Sequence, residues 1–172
     1  MKKFAIATAA AAMLSTAAFA QLQFETSAGY SALDGDGATL GAVTVRGTAF
    51  FNAYFGAEVE GSFGVTSEEV NGVDLELGNF AAAYAVGRLP TESNFEFLFR
   101  VGYGAGEIDG GIDGFGSTSV DIDGVLAGLG GQYFITPNFA LRGDYTRLEV
   151  SDEDLDGGLD IYTFGVVYRF GG

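Results

Sequence analysis

Arg46, Arg100, Arg142 and Arg169 are set among small and apolar residues. Within the same kind of surroundings lie Glu58 and Glu60, Glu96, and Asp144, which is two positions from Arg142. Groups of these types can do two things. Guanidinium forks and carboxylates can pair where water is scarce, or a carboxylate pair such as Glu58/Glu60 can trade protons with a substrate. A spacing of two places both members on one face of an extended strand. Ion pairing with Arg46 and Arg100 is therefore the expected role, and catalysis is not. The chain has no His, Cys or Trp. That removes histidine bases, Ser-His-Asp triads, thiolate nucleophiles, zinc fingers and disulfides.

A second cluster of oxygen donors is Asp152-Glu153-Asp154-Leu155-Asp156-Gly157. Asp152, Asp154 and Asp156 alternate as the opening ligands of a calcium loop do, and Gly157 suits the sharp turn. The twelfth position is Thr163 instead of a bidentate Glu, so an EF-hand is excluded. What is left is a weak divalent-cation site, with Ca²⁺ as the candidate ion, or a solvated loop that repels itself. No other cofactor is expected. Gly102-Tyr103-Gly104-Ala105-Gly106 and Gly128-Leu129-Gly130-Gly131 resemble phosphate-cradling glycines only superficially. No Lys follows either run, as a Walker A motif requires.

These groups must be held by strands. Residues 1–20, MKKFAIATAAAAMLSTAAFA, have a positive start at Lys2 and Lys3, a short Ala-rich apolar run and a small-x-small end at Ala18-Phe19-Ala20. This order predicts a secretory signal peptide cleaved after Ala20. From Gln21 to Gly172 the only basic residues are six arginines, against 23 acids, for a net charge of −17. So acidic a chain is not expected to bind nucleic acid.

The remaining chain alternates with a period of two. Phe24, Thr26, Ala28 and Tyr30 oppose Gln23, Glu25, Ser27 and Gly29. Phe55, Ala57, Val59 and Phe63 oppose Gly56, Glu58, Glu60 and Ser62. The same rule holds at 95–105, 139–145 and 161–170. Eight strands are predicted near 22–33, 39–51, 54–66, 74–87, 94–106, 118–133, 138–150 and 159–170. The fourth can be phased either way between Asn79 and Val86. Strands this long suit a bilayer crossing of about 9–11 residues, not the 5–6 usual in soluble sheets. Connections alternate between three short turns and four acidic, Gly-rich loops. The fold class predicted is all-β: an eight-stranded antiparallel up-and-down transmembrane β-barrel over residues 21–172. Its apolar face, rich in Phe and Tyr, meets lipid. Arg46, Glu58, Glu60, Glu96, Arg100, Arg142, Asp144 and Arg169 meet in the lumen. Eight strands enclose just enough space for side chains, so the interior is expected to be a packed polar network and not a pore.

The last strand, Thr163-Phe164-Gly165-Val166-Val167-Tyr168-Arg169-Phe170, resembles the C-terminal assembly signal of bacterial outer-membrane barrels, with Gly165, Tyr168 and Phe170 at the matching positions. Gly171-Gly172 extends past the aromatic that usually ends the family pattern. The chain from Gln21 onward is similar to the small eight-stranded outer-membrane barrels of the OmpA-like, OmpX-like and opacity-protein-like group. The segment Tyr133 to Tyr145 is similar to their third-turn hairpin.

The resemblance implies a monomeric integral protein of the bacterial outer membrane. It would be folded by the barrel assembly machinery and surrounded by outer-membrane lipids and lipopolysaccharide, to which divalent cations could bridge the acidic loops. Family roles are envelope integrity, adhesion and resistance to host defences. Enzymatic members of this group use His, which this chain lacks, so no catalysis is expected. Two further functional readings are a narrow channel for ions or small apolar solutes and a soluble exported β-domain.

Overall fold

The computed structural model describes residues 22–35, 38–66, 68–70, 73–112, 116–150 and 158–171. The predicted signal segment and the Asp152/Asp154/Asp156 loop lie outside the described residues. The strands are β1 Gln23–Gly35, β2 Ala38–Phe50, β3 Phe55–Thr66, β4 Glu68–Val70, β5 Val73–Pro90, β6 Phe95–Ile112, β7 Gly116–Phe134, β8 Phe139–Val150 and β9 Gly158–Phe170. Every pairing is antiparallel. The order is β3-β2-β1-β9-β8-β7-β6-β5, and β3 pairs with β5 to close the cylinder. The short β4 also pairs with β5 and continues the stave begun by β3. The barrel therefore has eight staves and no open edge along its wall. Closure satisfies every backbone group that would otherwise face hydrocarbon.

Closure joins the two ends of the described chain. β1 lies against β9 from Phe24↔Phe170 to Asp34↔Asp160. The seam is tight at Gly29 and Gly165, which stand directly opposite each other. A Cβ added to Gly165 would collide with the Ala28 carbonyl oxygen. Three tight turns close one end. Asn52 Oδ1 accepts hydrogen bonds from the Tyr54 and Phe55 amides at 2.8 and 2.9 Å, and Thr136 Oγ1 accepts one from the Phe139 amide at 3.0 Å. Both are side-chain substitutes for a backbone turn bond.

Burial follows the alternation. Glu25, Ser27 and Ser31 are buried on β1, whereas Phe24, Thr26, Ala28 and Tyr30 are exposed. Phe164 is 64% and Val59 63% exposed, which in water would be a large apolar liability and in lipid is the expected outer surface. Tyr30, Tyr103, Tyr145 and Tyr162 form an outward-facing belt toward the loop end. Phe24, Phe55, Phe97, Tyr133, Phe139, Tyr168 and Phe170 form another toward the short-turn end. Such girdles bracket the apolar band of a membrane barrel.

One open phase is resolved and one expectation is corrected. The fourth crossing strand, β5, runs to Pro90 and turns Phe80, Tyr84, Val86 and Arg88 inward, leaving Ala81, Ala83 and Ala85 outside. β6 and β7 extend to Ile112 and from Gly116, so most of the loop predicted from Glu107 to Ser117 is strand.

Candidate functional site in the barrel lumen

The inward-facing residues stack in layers along the axis. Nearest the short turns, Arg88 and Arg169 meet Glu25 and Glu96. Arg169 donates to both acids at 2.7 Å, and Arg88 Nη1 lies 3.4 Å from Glu25 and 3.7 Å from Glu96. Gln132, fully buried, donates its amide to Glu96 at 2.7 Å and to Glu25 at 3.3 Å. Two rings close this level. The Arg88 guanidinium carbon stacks 3.9 Å from the Phe50 centroid, and that of Arg169 stacks 3.8 Å from Phe134.

Above it is a second level of three arginines and three acids. Arg46 donates from Nε to Glu60 at 2.6 Å and from Nη1 to Asp144 at 3.0 Å. Arg100 reaches Glu58 at 2.8 Å and Glu60 at 3.2 Å, and also donates to Thr146. Arg142 holds Glu58 at 2.7 Å and Asp144 at 3.0 Å. Thr48 and Tyr84 donate their hydroxyls to Glu58 and Glu60. These are pairs with little access to water: the side chains of Glu58 and Asp144 are 0% exposed. Each level is charge-balanced, so the barrel buries ten ionised groups without a net charge. An unbalanced buried charge would be strongly destabilising.

Next comes a ring of hydroxyls, Thr163, Ser31, Thr44 and Ser62, linked at 2.7, 2.6 and 2.8 Å. Beyond it, toward the loops, the lumen is apolar. Leu33, Leu40, Leu77, Phe80, Ile122, Leu126, Leu148 and Ile161 pack into one buried cluster. The expectation of a packed polar network is thus corrected for the half toward the loops: the charged levels lie in the half toward the short turns, where Phe50, Val86 and Leu98 are also buried. Two inward glycines leave room for larger neighbours. A side chain at Gly104 would strike Phe80 and Leu126, and one at Gly130 would strike Asp144.

All eight residues anticipated for the lumen face it, but in two levels. Arg46, Glu58, Glu60, Arg100, Arg142 and Asp144 make one, and Glu96 and Arg169 belong to the other. Arg88 and Gln132 complete the level of Glu96 and Arg169 and were not anticipated. Arg88 lies on the strand whose phase the sequence leaves open, and phasing from Tyr84 and Val86 would have found it. Gly165 faces inward at the seam, whereas Tyr168 and Phe170 face lipid, edge to face at 4.9 Å.

On the outer surface above the tyrosine belt, Asp160 accepts hydrogen bonds from Tyr145 at 2.8 Å and Arg147 at 3.0 Å. These bonds hold its carboxyl below the usual carboxylate range, Tyr145 contributing most. Among the described residues no group of three or more acids is arranged to hold a metal ion.

A closed antiparallel barrel with an apolar outside, aromatic girdles and a charged inside is an integral membrane protein of the outer-membrane kind. A family model described as outer membrane protein beta-barrel domain matches residues 5–170, and the chain belongs to that family. No curated protein matches it at a significant level. Among solved structures it is similar to Ail, the attachment invasion locus protein of Yersinia pestis, solved in complex with the heparin analogue sucrose octasulfate. The TM-score is 0.64 at 18% identity, covering 87% of this chain and 99% of that one. It is also similar to the N-terminal β-barrel domain of Pseudomonas aeruginosa OprF, with TM-score 0.64, 14% identity, and coverage of 86% and 97%. OprG of the same organism gives TM-score 0.64 and 14% identity, covering 87% of this chain and 96% of OprG. Identities this low speak for the fold alone.

Proposed function

We propose that this is a non-catalytic structural barrel of the bacterial outer membrane, whose role is envelope integrity and whose lumen conducts nothing. The observation that carries the reading is the doubly closed interior. Two balanced charge levels fill the half toward the short turns, and the Leu33–Leu126–Leu148 cluster fills the other. An ion entering would have to displace a network of pairs and then cross a layer with no polar partner, where leaving its hydration is costly. The test is conductance of the refolded protein in planar lipid bilayers. No steady unitary openings are expected, and cation-selective openings would instead favour a narrow channel.

Adhesion to a sulfated glycan, suggested by the ligand of the Ail complex, fits the surface poorly. The outward-facing described groups near the loop end include Asp34, Glu107, Asp123, Glu149 and Asp160, against Arg147. Such a surface repels polyanions. The same proposal has the protein exported by its N-terminal segment and inserted by the barrel assembly machinery through Gly165, Tyr168 and Phe170. It stands as a monomer among lipopolysaccharide, with Ca²⁺ bridging its acidic loops to lipid phosphates. Thermal melts with calcium and with chelator check the last point, and equal melting would remove it.

A further inference from the structure

The lipid-facing wall is not uniformly covered. On β2 and β3, the outward positions Gly47, Ala49, Ala57 and Gly61 form the floor of a groove, with Phe24 and Val59 on its sides. The part toward the short turns has a volume of about 740 Å³ and reaches Phe51 and Phe170. A second recess of about 370 Å³ shares Gly47 and Val59 with it and continues to Val45 and Gly61. Small-molecule sites occupy about 300–1,000 Å³.

The glycines of this floor have no packing reason to be glycine. At Gly165, Gly29 or Gly102 an added Cβ would fall within 3.0 Å of backbone. At Gly47 the nearest atom is Val59 Cγ2 at 3.8 Å, and at Gly61 it is Val45 Cγ2 at 3.9 Å. Three outward glycines elsewhere on the wall stand against an aromatic. Gly87 is opposite Phe99 and Gly143 opposite Phe164, and the Phe95 ring lies over Gly131. A bare glycine in a strand weakens it and often marks the close approach of another molecule.

The occupant follows from where the groove lies. It is continuous with the apolar belt that meets the bilayer and begins at the girdle of the short-turn end. From Phe51 to Val45 it spans six residue steps, about 20 Å along the strand. With a strand tilt of about 35–45° this is about 15 Å of depth, half of a hydrocarbon core about 30 Å thick. We propose that the groove is a resident site for one acyl chain of an inner-leaflet phospholipid, which exchanges more slowly than the surrounding lipid. The proposal rests on membership in the outer-membrane barrel family and not on the closed lumen, so a conducting barrel would leave it intact.

The test is native mass spectrometry of the protein refolded into vesicles of phosphatidylethanolamine, phosphatidylglycerol and lipid A, then released into weak detergent. The wild-type barrel should keep one phospholipid. Gly47→Leu with Ala49→Phe should lower its retention about tenfold, equivalent to about 1.4 kcal/mol, and Gly61→Val alone should lower it measurably. Gly143→Leu, on the far wall, should retain it as wild type does. Heat-shifted gel migration identifies which variants fold, and Gly61→Val serves if the double variant does not. Bare protein, bound lipid A, a dimer sealed at this face, density of the N-terminal segment filling the groove, or equal retention by the folded groove variants would each overturn the proposal.

Discussion

Glu58 and Arg142 are 84 residues apart in the chain and face each other across the full width of the barrel, joined by hydrogen bonds of 2.7 and 3.2 Å. Their strands, β3 and β8, are four staves apart in a ring of eight. The pair is thus a strut across the lumen, and Glu58 also anchors Arg100 and Thr48. Replacing Glu58 with Ala leaves Arg46, Arg100 and Arg142 facing only Glu60 and Asp144. The expected loss is about 3–5 kcal/mol, as for one partner removed from a buried pair. Urea unfolding of the refolded barrel in vesicles measures it. A loss below about 1 kcal/mol would mean that water reaches the site and screens it.

The two closures act in series, so opening either alone should leave the barrel silent. Phe80→Ala with Leu126→Ala thins the apolar layer but leaves the arginine level intact. Arg100→Ala with Glu58→Ala does the reverse and keeps the charge balanced. Neither double variant should conduct in planar bilayers, and the quadruple variant should. Conductance from the first variant would show that the charged level is permeable.

The seam between β1 and β9 should be intolerant of volume. A Cβ at Gly165 would collide with the Ala28 oxygen, and one at Gly29 would lie 2.5 Å from the Phe164 oxygen. Gly165→Val should cost about 1–3 kcal/mol through overpacking, visible as a smaller heat-modifiable fraction on gels. Gly143→Val, whose nearest contact is 3.9 Å away, should assemble as wild type does.

Acidification should break the Asp160 contacts at the outer end only below the pH at which an ordinary aspartate is protonated. Tyr145 and Arg147 both donate to this carboxylate and hold its pKa below the ordinary value of 3.8. A depressed carboxyl stabilises the fold above its unfolded pKa, and that contribution disappears as pH falls through the folded value. Carboxyl-carbon NMR of the barrel in nanodiscs should show Asp160 titrating below 3.8, and Tyr145→Phe should move it upward. An unmoved midpoint would remove the assignment.

The staves legible in the sequence are those where lipid lies on one side and charge on the other. Phe24/Glu25, Val59/Glu60, Phe99/Arg100 and Tyr168/Arg169 each fix a phase unaided. β5 resists because Phe80-Ala81-Ala82-Ala83-Tyr84-Ala85-Val86 is apolar on both faces: its inner half belongs to the apolar layer and its outer half meets hydrocarbon. The extension of β6 resists for the opposite reason. Glu107-Ile108-Asp109-Gly110-Gly111-Ile112 runs past the apolar band, where lipid no longer imposes a polar–apolar rhythm. The apolar layer itself escaped because Leu33, Leu40, Leu126 and Leu148 come from four different strands. Only the register brings Leu33 opposite Leu40 and Leu126 opposite Leu148. The lumenal pairing of Arg46 with Glu60 was open to reading, since both sit on inward positions of neighbouring staves.

Five of the six arginines beyond Lys3 are spent inside the cylinder, where five carboxylates cancel them. The whole surplus of −17 over Gln21–Gly172 therefore falls to the other residues, with Arg147 the one remaining cation. Two such molecules drifting together in one membrane would meet as like-signed bodies, and the force between them would act within about 8 Å at physiological ionic strength. Crowded copies should consequently keep their distance, spreading as a dispersed two-dimensional gas instead of condensing into rafts of touching barrels.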